Sequence, residues 1–571
     1  MNKSIIKSAS ILFHLVFAST LLLGHVAAQE PGVNTDADNQ SGKLLFEGQI
    51  APVLEGMGNH QFKISSSDNL ANQFFNQAIA LTYGFNHLEA GRSYRQVAAI
   101  DPNSAMAYWG QALVLGPNIN AAMEAASVKP AFEAILKAKS LRSKASAKEV
   151  DLINALATRY SDDESLADRG RLDQAYAVSM RILVKKYPDD PNIRTLLAEA
   201  LMVIHAWDYW NGDGRPKEWT PEILDVLETG LKSHPAHAGL THYYIHAVEA
   251  SKNPARALAS ANILRDLVPG AGHLVHMPSH IYIRTGKYQE GVVANEKAIL
   301  VDNNYIAQCR QQGIYPVAYV PHNRHFLWAM ASMQGNSQKA IKAAEHMAGH
   351  IDQNLMREAG YGTLQHYWVT PIYAYVRFGH WQKILKLDKP DSDLKYPTGV
   401  WHYARGKALA ATGQIEKARA ELLHLQRIAN DQSLKNITVW EINDAYHVIQ
   451  IASLVLQGEI EGKAANYPNA IESLKRAVAL ETRLNYNEPS DWHYPVRQSL
   501  GAVYLQAGLA ELAEQAYRED LETFPDNGWS LYGLHLALQK QQKQPEAVVV
   551  KQQFDRAWQW ADIQLTASRI F

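Results

Sequence analysis

Between Arg497 and Pro525 the chain reads RQSLGAVYLQAGLAELAEQAYREDLETFP. Apolar and small residues return every three or four positions, the period of one helix face. Leu500-Gly501 and Tyr504 mark one helix. Gly508 ends it, because glycine tolerates the left-handed cap. Ala513 and Tyr517 face inward from a second helix, and Pro525 stops that one because it cannot continue the hydrogen-bond ladder. No run in the chain alternates with the two-residue period of a strand, and Ala, Leu, Gln and Glu are frequent. The pattern predicts paired antiparallel helices throughout.

The same skeleton recurs. Ala90, Tyr94 and Pro102 form one copy, Ala257, Ala261 and Pro269 a second, and Gly406, Gly413 and Ala418 a third. Gly286, Gly335 and Gly379 are further candidate turns between helices. From about residue 67 to the end the chain resembles the tetratricopeptide repeat family. It is also similar to exported bacterial members carrying a His-Met-Pro-Ser-His segment. The resemblance implies an all-α, right-handed α-solenoid of antiparallel helix pairs. Residues 67–387 are expected to form one array and 399–571 a second, with a loop at 388–398. Asn211–Pro221 is a further expected loop.

The repeat orders the histidines. HYYIHAVEA (His242–Ala250) is followed 34 residues later by HMPSHIYIR (His276–Arg284), so His242 and His246 recur as His276 and His280. Measured back from the inter-helix turns, His242, His276 and His325 share one register. His246 and His280 share a second, four residues on, where Glu199 also falls one repeat earlier. His273, His322 and His366 share a third, three residues before the first. Offsets of three and four lie on one helical face, which in the repeats this chain resembles lines the concave groove. First helices of neighbouring pairs lie roughly 10 Å apart, within reach of two imidazoles. Glu249 adds a carboxylate to the same stripe.

A lone groove histidine is ordinarily a polar wall residue. Gathering several groups of ordinary pKa near 6.5 makes protonating them all unfavourable, whereas converging neutral imidazoles suit Zn²⁺, Cu²⁺ or Fe²⁺. His242, His246, His276 and His280 are the expected ligands, with His273, Glu249, His322, His325, Glu199 and His366 around them or in the groove. Pro278, inside HMPSH, either opens a helix in its first turn or kinks one. Two other segments offer ligand contacts: Glu488, Asp491, Trp492, His493, Tyr494 and Arg497 in NEPSDWHYPVR, and Asn86, His87, Glu89, Arg92 and Arg95 in FNHLEAGRSYR. Capping and inter-repeat ion pairs are their plainer role.

Composition narrows the picture. A chain of 571 residues is too long for one core, and 47% apolar with 20% charged residues is ordinary for a folded protein. A formal net charge of −2 without a basic run gives no electrostatic footprint for nucleic acid. Cys309 is the only cysteine, which excludes an intrachain disulfide and a cysteine-based zinc site. Lys3 and Lys7, an apolar run from Ile11 to Leu23 and the small residues Val26-Ala27-Ala28 predict a leader cut before Gln29. The mature chain is then exported, periplasmic or secreted, with formal charge −4 and no membrane span. Residues 29–66 are expected to be a polar segment, disordered in part.

Three functions fit. The groove binds a peptide, protein segment or small molecule around a histidine-rich metal site. The same cluster makes the protein a metal-dependent hydrolase or oxidoreductase. Or the chain is a metal-free interaction scaffold. The metalloprotease HEXXH, Gly-x-Ser-x-Gly and phosphate-cradling glycine loops are absent from the sequence.

Overall fold

The computed structural model describes residues 49–163, 165–212, 214–309, 317 and 319–571. The expected leader and the polar tail to Gly42 lie outside the described residues. The fold is all-α, built of helices packed in sequential pairs; among the described residues the paired strands are Thr438–Val439 and Asn443–Asp444, which close a hairpin. No helix of the described residues is long and apolar enough to cross a membrane.

Two compact units emerge. The first runs to Tyr209 and includes Pro216–Ala247 and Leu267–Ala271. The second takes Trp210–Arg215, Val248–Asp266 and Gly272–Phe571. The described part of the first unit opens with a non-helical strap. Side-chain amides hold it: Ile50 N–H donates to Gln96 Oε1 (2.6 Å) and Leu54 N–H to Gln77 Oε1 (2.7 Å), while Ala51 and Phe62 are buried. Hairpins then follow, each helix packing on the next, from Asn69–Tyr83 with His87–Ile100 to Pro191–Ile204 with Thr220–Ser233. Asp190 caps the last of these pairs, accepting from Asn192 and Ile193 N–H, with Pro191 in the tolerated first turn.

In the second unit the first helices of successive hairpins also pack on one another. Val320–Met333 meets Gly362–Arg377, which meets Lys395–Ala411, then Ala445–Lys463, Val496–Gln506 and Gly528–Lys540. This row is what brings side chains from different repeats together. The turn glycines predicted from sequence, Gly286, Gly335, Gly379, Gly413 and Gly508, all have φ between +70° and +80°, a left-handed conformation that L side chains avoid. Gly501 serves close approach: a Cβ there would lie 2.5 Å from the Tyr517 ring. The Asp388–Leu394 stretch is a loop within this unit, and Lys395–Thr398, read from sequence as its continuation, opens the next helix with Pro397 in the first turn.

The C-terminal tail returns Arg569 to the core of this unit. There Glu459 pairs with Lys407 (3.0 Å) and Arg569 (2.7 Å) and accepts from Ser499 Oγ (2.6 Å), all buried. Burial alone would raise the Glu459 carboxyl, but the two cations hold it down at about 2. Removing the acid strands two buried charges, so Glu459→Ala is expected to cost about 3–5 kcal/mol by denaturant unfolding. The depressed pKa fixes the sign with pH. The contribution is full above the unfolded value near ~4.3 and is lost as pH falls toward 2. A loss in Glu459→Ala below about 1 kcal/mol would contradict this account.

Candidate metal centre

The HMPSH segment resolves into two short helices, Gly272–His276 and Pro278–Arg284, joined at Met277. Met277 keeps right-handed helical angles (φ −50°, ψ −35°), and its N–H still reaches His273 O at 3.0 Å. Pro278 therefore sits in the first turn of the second segment, where its missing N–H costs least. The near-continuous winding keeps His276 and His280 on one side. Their Nε2 atoms lie 3.0 Å apart, and the rings cross at 79°.

The outer nitrogens of both rings are committed. Asn295, on the next helix (Tyr288–Cys309), donates through Nδ2 to Ser279 Oγ and to the Gly291 carbonyl, each at 2.8 Å. A carbonyl only accepts, so Asn295 Oδ1 must face His276 Nδ1 (2.7 Å), which then carries the hydrogen. His280 Nδ1 forms an ion pair with Glu249 Oε2 (2.6 Å), with Glu488 Oε2 at 3.3 Å. Both acids are buried. The His276 lone pair is thus aimed at His280 Nε2. Two lone pairs cannot face each other at 3.0 Å unless a cation, proton or metal, lies on them. Burial by itself would depress His280, but Glu249 and Glu488 raise it to about 10. Glu488, lifted mainly by burial and partly offset by His280, stands at about 7.

His322, from Val320–Met333, completes the group: one nitrogen each from His276, His280 and His322 lies within 4.8 Å of the others. Phe326, one turn on, touches all three rings at centroid distances of 4.6–5.0 Å. Trp440 closes the far side of His322 at 5.5 Å. It stands at the tip of the Thr438–Asp444 hairpin, where Trp440 and Glu441 both have positive φ (53° and 57°), a cost usually kept only at tightly determined sites. Arg284 donates to the Glu249 carbonyl (2.7 Å) and lies over Tyr486, whose hydroxyl donates to Glu488. The donor set fits a borderline divalent metal: three imidazoles, two adjacent carboxylates, and an outer hydrogen bond that fixes the His276 tautomer.

The four histidines expected as ligands do not all fall in this unit. His242 and His246 belong to the first, where His242 Nδ1–H donates to the Tyr83 carbonyl (2.5 Å) and the two rings lie 4.8 Å apart. Phe85 packs on both and Trp207 on His246. Glu199, also there, pairs with Arg159 at 3.4 Å. In the second unit His273 packs against Tyr319 (5.0 Å), while His325 meets His366 at 5.3 Å and His366 Nδ1 pairs with Tyr396 (2.7 Å). The pairing rule is therefore shifted: His276 meets His322, and His325 meets His366, each matching the first register of one hairpin to the third of the next. These rings are buried, where the sequence placed them on an open groove wall. Trp440 of the hairpin lies against His322, and Glu488 lies beside His280.

The plainer roles hold for several other residues. Asn86 caps His87–Ile100 and Glu89 pairs with Arg92 (2.9 Å), both in the first unit. Arg497 pairs with Glu519 (3.1 Å). Trp492 and Tyr494 are buried around His493.

No protein-family model and no curated protein matches the chain. Among solved structures it is similar to a human IFIT1 dimer with m7Gppp-AAAA, at 10% identity over 86% of this chain and 91% of that one, with TM-score 0.31. It is similar to yeast Tom70 at 10% identity, 85% and 92% coverage and TM-score 0.27. For the TPR domain of P58(IPK) the values are 9%, 83% and 99%, and 0.21. Likenesses this remote say nothing of what the histidines do.

Asn295 and Trp440 were not foreseen. Asn295 lies on a second helix, away from the histidine stripe, and Trp440 arrives from a hairpin distant in sequence. His325 offers a check on which histidines are functional. It is buried, neither ring nitrogen has a hydrogen-bond partner among the described residues, and burial, reinforced by His366, lowers its pKa well below the ordinary value. It stacks on Trp328 at 5.0 Å. Replacing an unsatisfied buried polar ring by an apolar one of like shape is nearly neutral or stabilising. His325→Phe is expected to unfold within about 1 kcal/mol of wild type in urea, or to be more stable. A loss of several kcal/mol would show that His325 has a partner the geometry hides.

Proposed function

We propose that the second unit holds a divalent transition metal, Zn, Cu or Fe, on His276, His280 and His322, and that the TPR-like scaffold binds a peptide or small-molecule ligand around it. The observation that carries the reading is the pair of Nε2 atoms 3.0 Å apart, with Asn295 and Glu249 holding the opposite nitrogens. Such outer partners orient imidazoles and raise their basicity toward a metal. Zn–N bonds of about 2.0–2.1 Å at a tetrahedral angle put ligand nitrogens roughly 3.3 Å apart, close to the spacing found. Glu249 and Glu488 sit behind His280 as outer partners, so water or the ligand would fill the remaining positions on the metal.

A second reading rests on the same distance. A proton on His280 Nε2 makes a 3.0 Å hydrogen bond to His276, and the cluster is then a buried, metal-free acid–base pair. Elemental analysis separates the two. The purified chain is expected to carry about one more metal equivalent than His276→Ala/His280→Ala. Glu249→Gln keeps the shape but loses the carboxylate charge, and is expected to weaken metal affinity about 10–100-fold. A wild-type chain that takes up no more Zn²⁺, Cu²⁺ or Fe²⁺ than the double variant sinks the metal reading and leaves the proton.

A further inference from the structure

A different buried cation in the same unit lacks what the others have. Arg159, Arg324, Arg377 and Arg569 are the buried arginines among the described residues. Arg159 bonds to Asp173 and Glu199, Arg324 to Asn303 Oδ1 and a backbone carbonyl, and Arg569 to Glu459. Arg377 has only aromatic faces. Its guanidinium carbon lies 3.6 Å from the Trp529 ring centroid and 4.9 Å from that of Tyr494. Nε and Nη2 are buried without a hydrogen-bond partner. Stacking serves the π faces of a guanidinium and leaves its N–H edge unsatisfied.

Nε and Nη2 are the two atoms of one fork, the edge that grips both oxygens of a carboxylate or phosphate. Asp520, the acid whose charge reaches Arg377, is already bound by Ser530, Gln498 and Asn527. Trp492, which packs on Tyr403, His493 and Tyr494, likewise has a buried Nε1–H with no partner among the described residues. Guanidinium and indole only donate. The guanidinium edge of Arg377 and the indole N–H of Trp492 both need an acceptor. Burial also pushes Arg377 below its ordinary pKa, as it must for a cation without a counter-charge. Arg377 ends the helix Gly362–Arg377, so the helix dipole favours its charge. The dipole acts along the axis, however, and supplies no acceptor to the fork.

We infer that Arg377 anchors a second ligand site in this unit, one that takes an oxyanion, a carboxylate or a phosphate, on its Nε–Nη2 edge. Tyr494 and Trp529 hold the guanidinium flat and preset the direction of that edge. The site stands independently of the proposed metal.

Thermal unfolding tests it, with sodium acetate and sodium phosphate compared against sodium chloride at equal ionic strength. Wild type is expected to show a saturable rise in Tm with at least one oxyanion, and which one responds identifies the source. Arg377→Gln is expected to weaken that response about tenfold or more. An equal Tm of wild type in all three salts, or an undiminished response in Arg377→Gln, overturns the inference. Should Arg377→Gln fail to fold, wild-type crystals soaked in selenate and in 4-bromobenzoate decide the matter. An anomalous peak on the guanidinium edge in either soak supports the site, and none in both overturns it.

Discussion

The structure of the second unit turns on one contact, two imidazole nitrogens meeting at 3.0 Å in a dry interior. That contact is tolerable only with a cation on it, and every neighbouring polar choice follows from supplying or answering that charge. Asn295 fixes the hydrogen on the far side of His276. Glu249 and Glu488 provide negative charge behind His280. Ser279 and the Gly291 carbonyl in turn fix Asn295. A core of this kind gains nothing in stability over an apolar one, because desolvating charges costs at least what their pairing returns. Its presence is an argument for chemistry rather than for folding.

The scaffold explains how such a contact arises from residues as near as His276 and His280, 4 positions apart, and as far as Glu249 and Glu488, 239 apart. Hairpins with glycine at φ near +70° to +80° stack with their first helices in a row. One face of that row collects a side chain from each repeat. The HMPSH break at Met277 does not redirect the chain, since Met277 remains helical, but it places Pro278 where it takes no hydrogen bond away. The uninterrupted winding leaves i and i+4 on one side, and the neighbouring helices supply His322 and Asn295. Glu488 and Trp440 come from connections between helices, not from helix faces, and they turn a groove wall into an interior.

Much of this was legible in the residues. The recurring Gly, Ala, Tyr and Pro positions identified helical hairpins, and each turn glycine proposed on spacing has the backbone conformation that requires one. The same ruler aligned the histidines. It could not give the offset between adjacent hairpins: His276 and His325 share a register, yet packing sets His276 beside His322. That shift of three residues comes from how one helix rides on the next, which repeat length does not encode. Burial was also invisible: Trp440 against His322 and Glu488 beside His280 come from segments without periodicity. Glu488 stood out in sequence only as one polar residue of a dense segment, and Arg497 of that segment went instead to an ordinary surface ion pair.

The buried charges of this unit divide into two kinds, and the division is informative. Around Glu459 every acceptor has its donor: two cations and a serine converge on one carboxylate, and the C-terminal tail is fixed by it. That is how a fold uses buried ions for structure. His325, Arg377 and Trp492 are different, each buried with polar atoms unmet among the described residues. For His325, an uncharged ring stacked on Trp328, the shortfall is small enough for packing to carry. For a guanidinium it is not, because aromatic faces leave the N–H edge dry and a cation without an anion is the costliest group a core can hold. The same unit completes the pairing at Glu459 and omits it at Arg377, so the omission is not a limit of the scaffold. It marks the place where the missing acceptor comes from outside the chain.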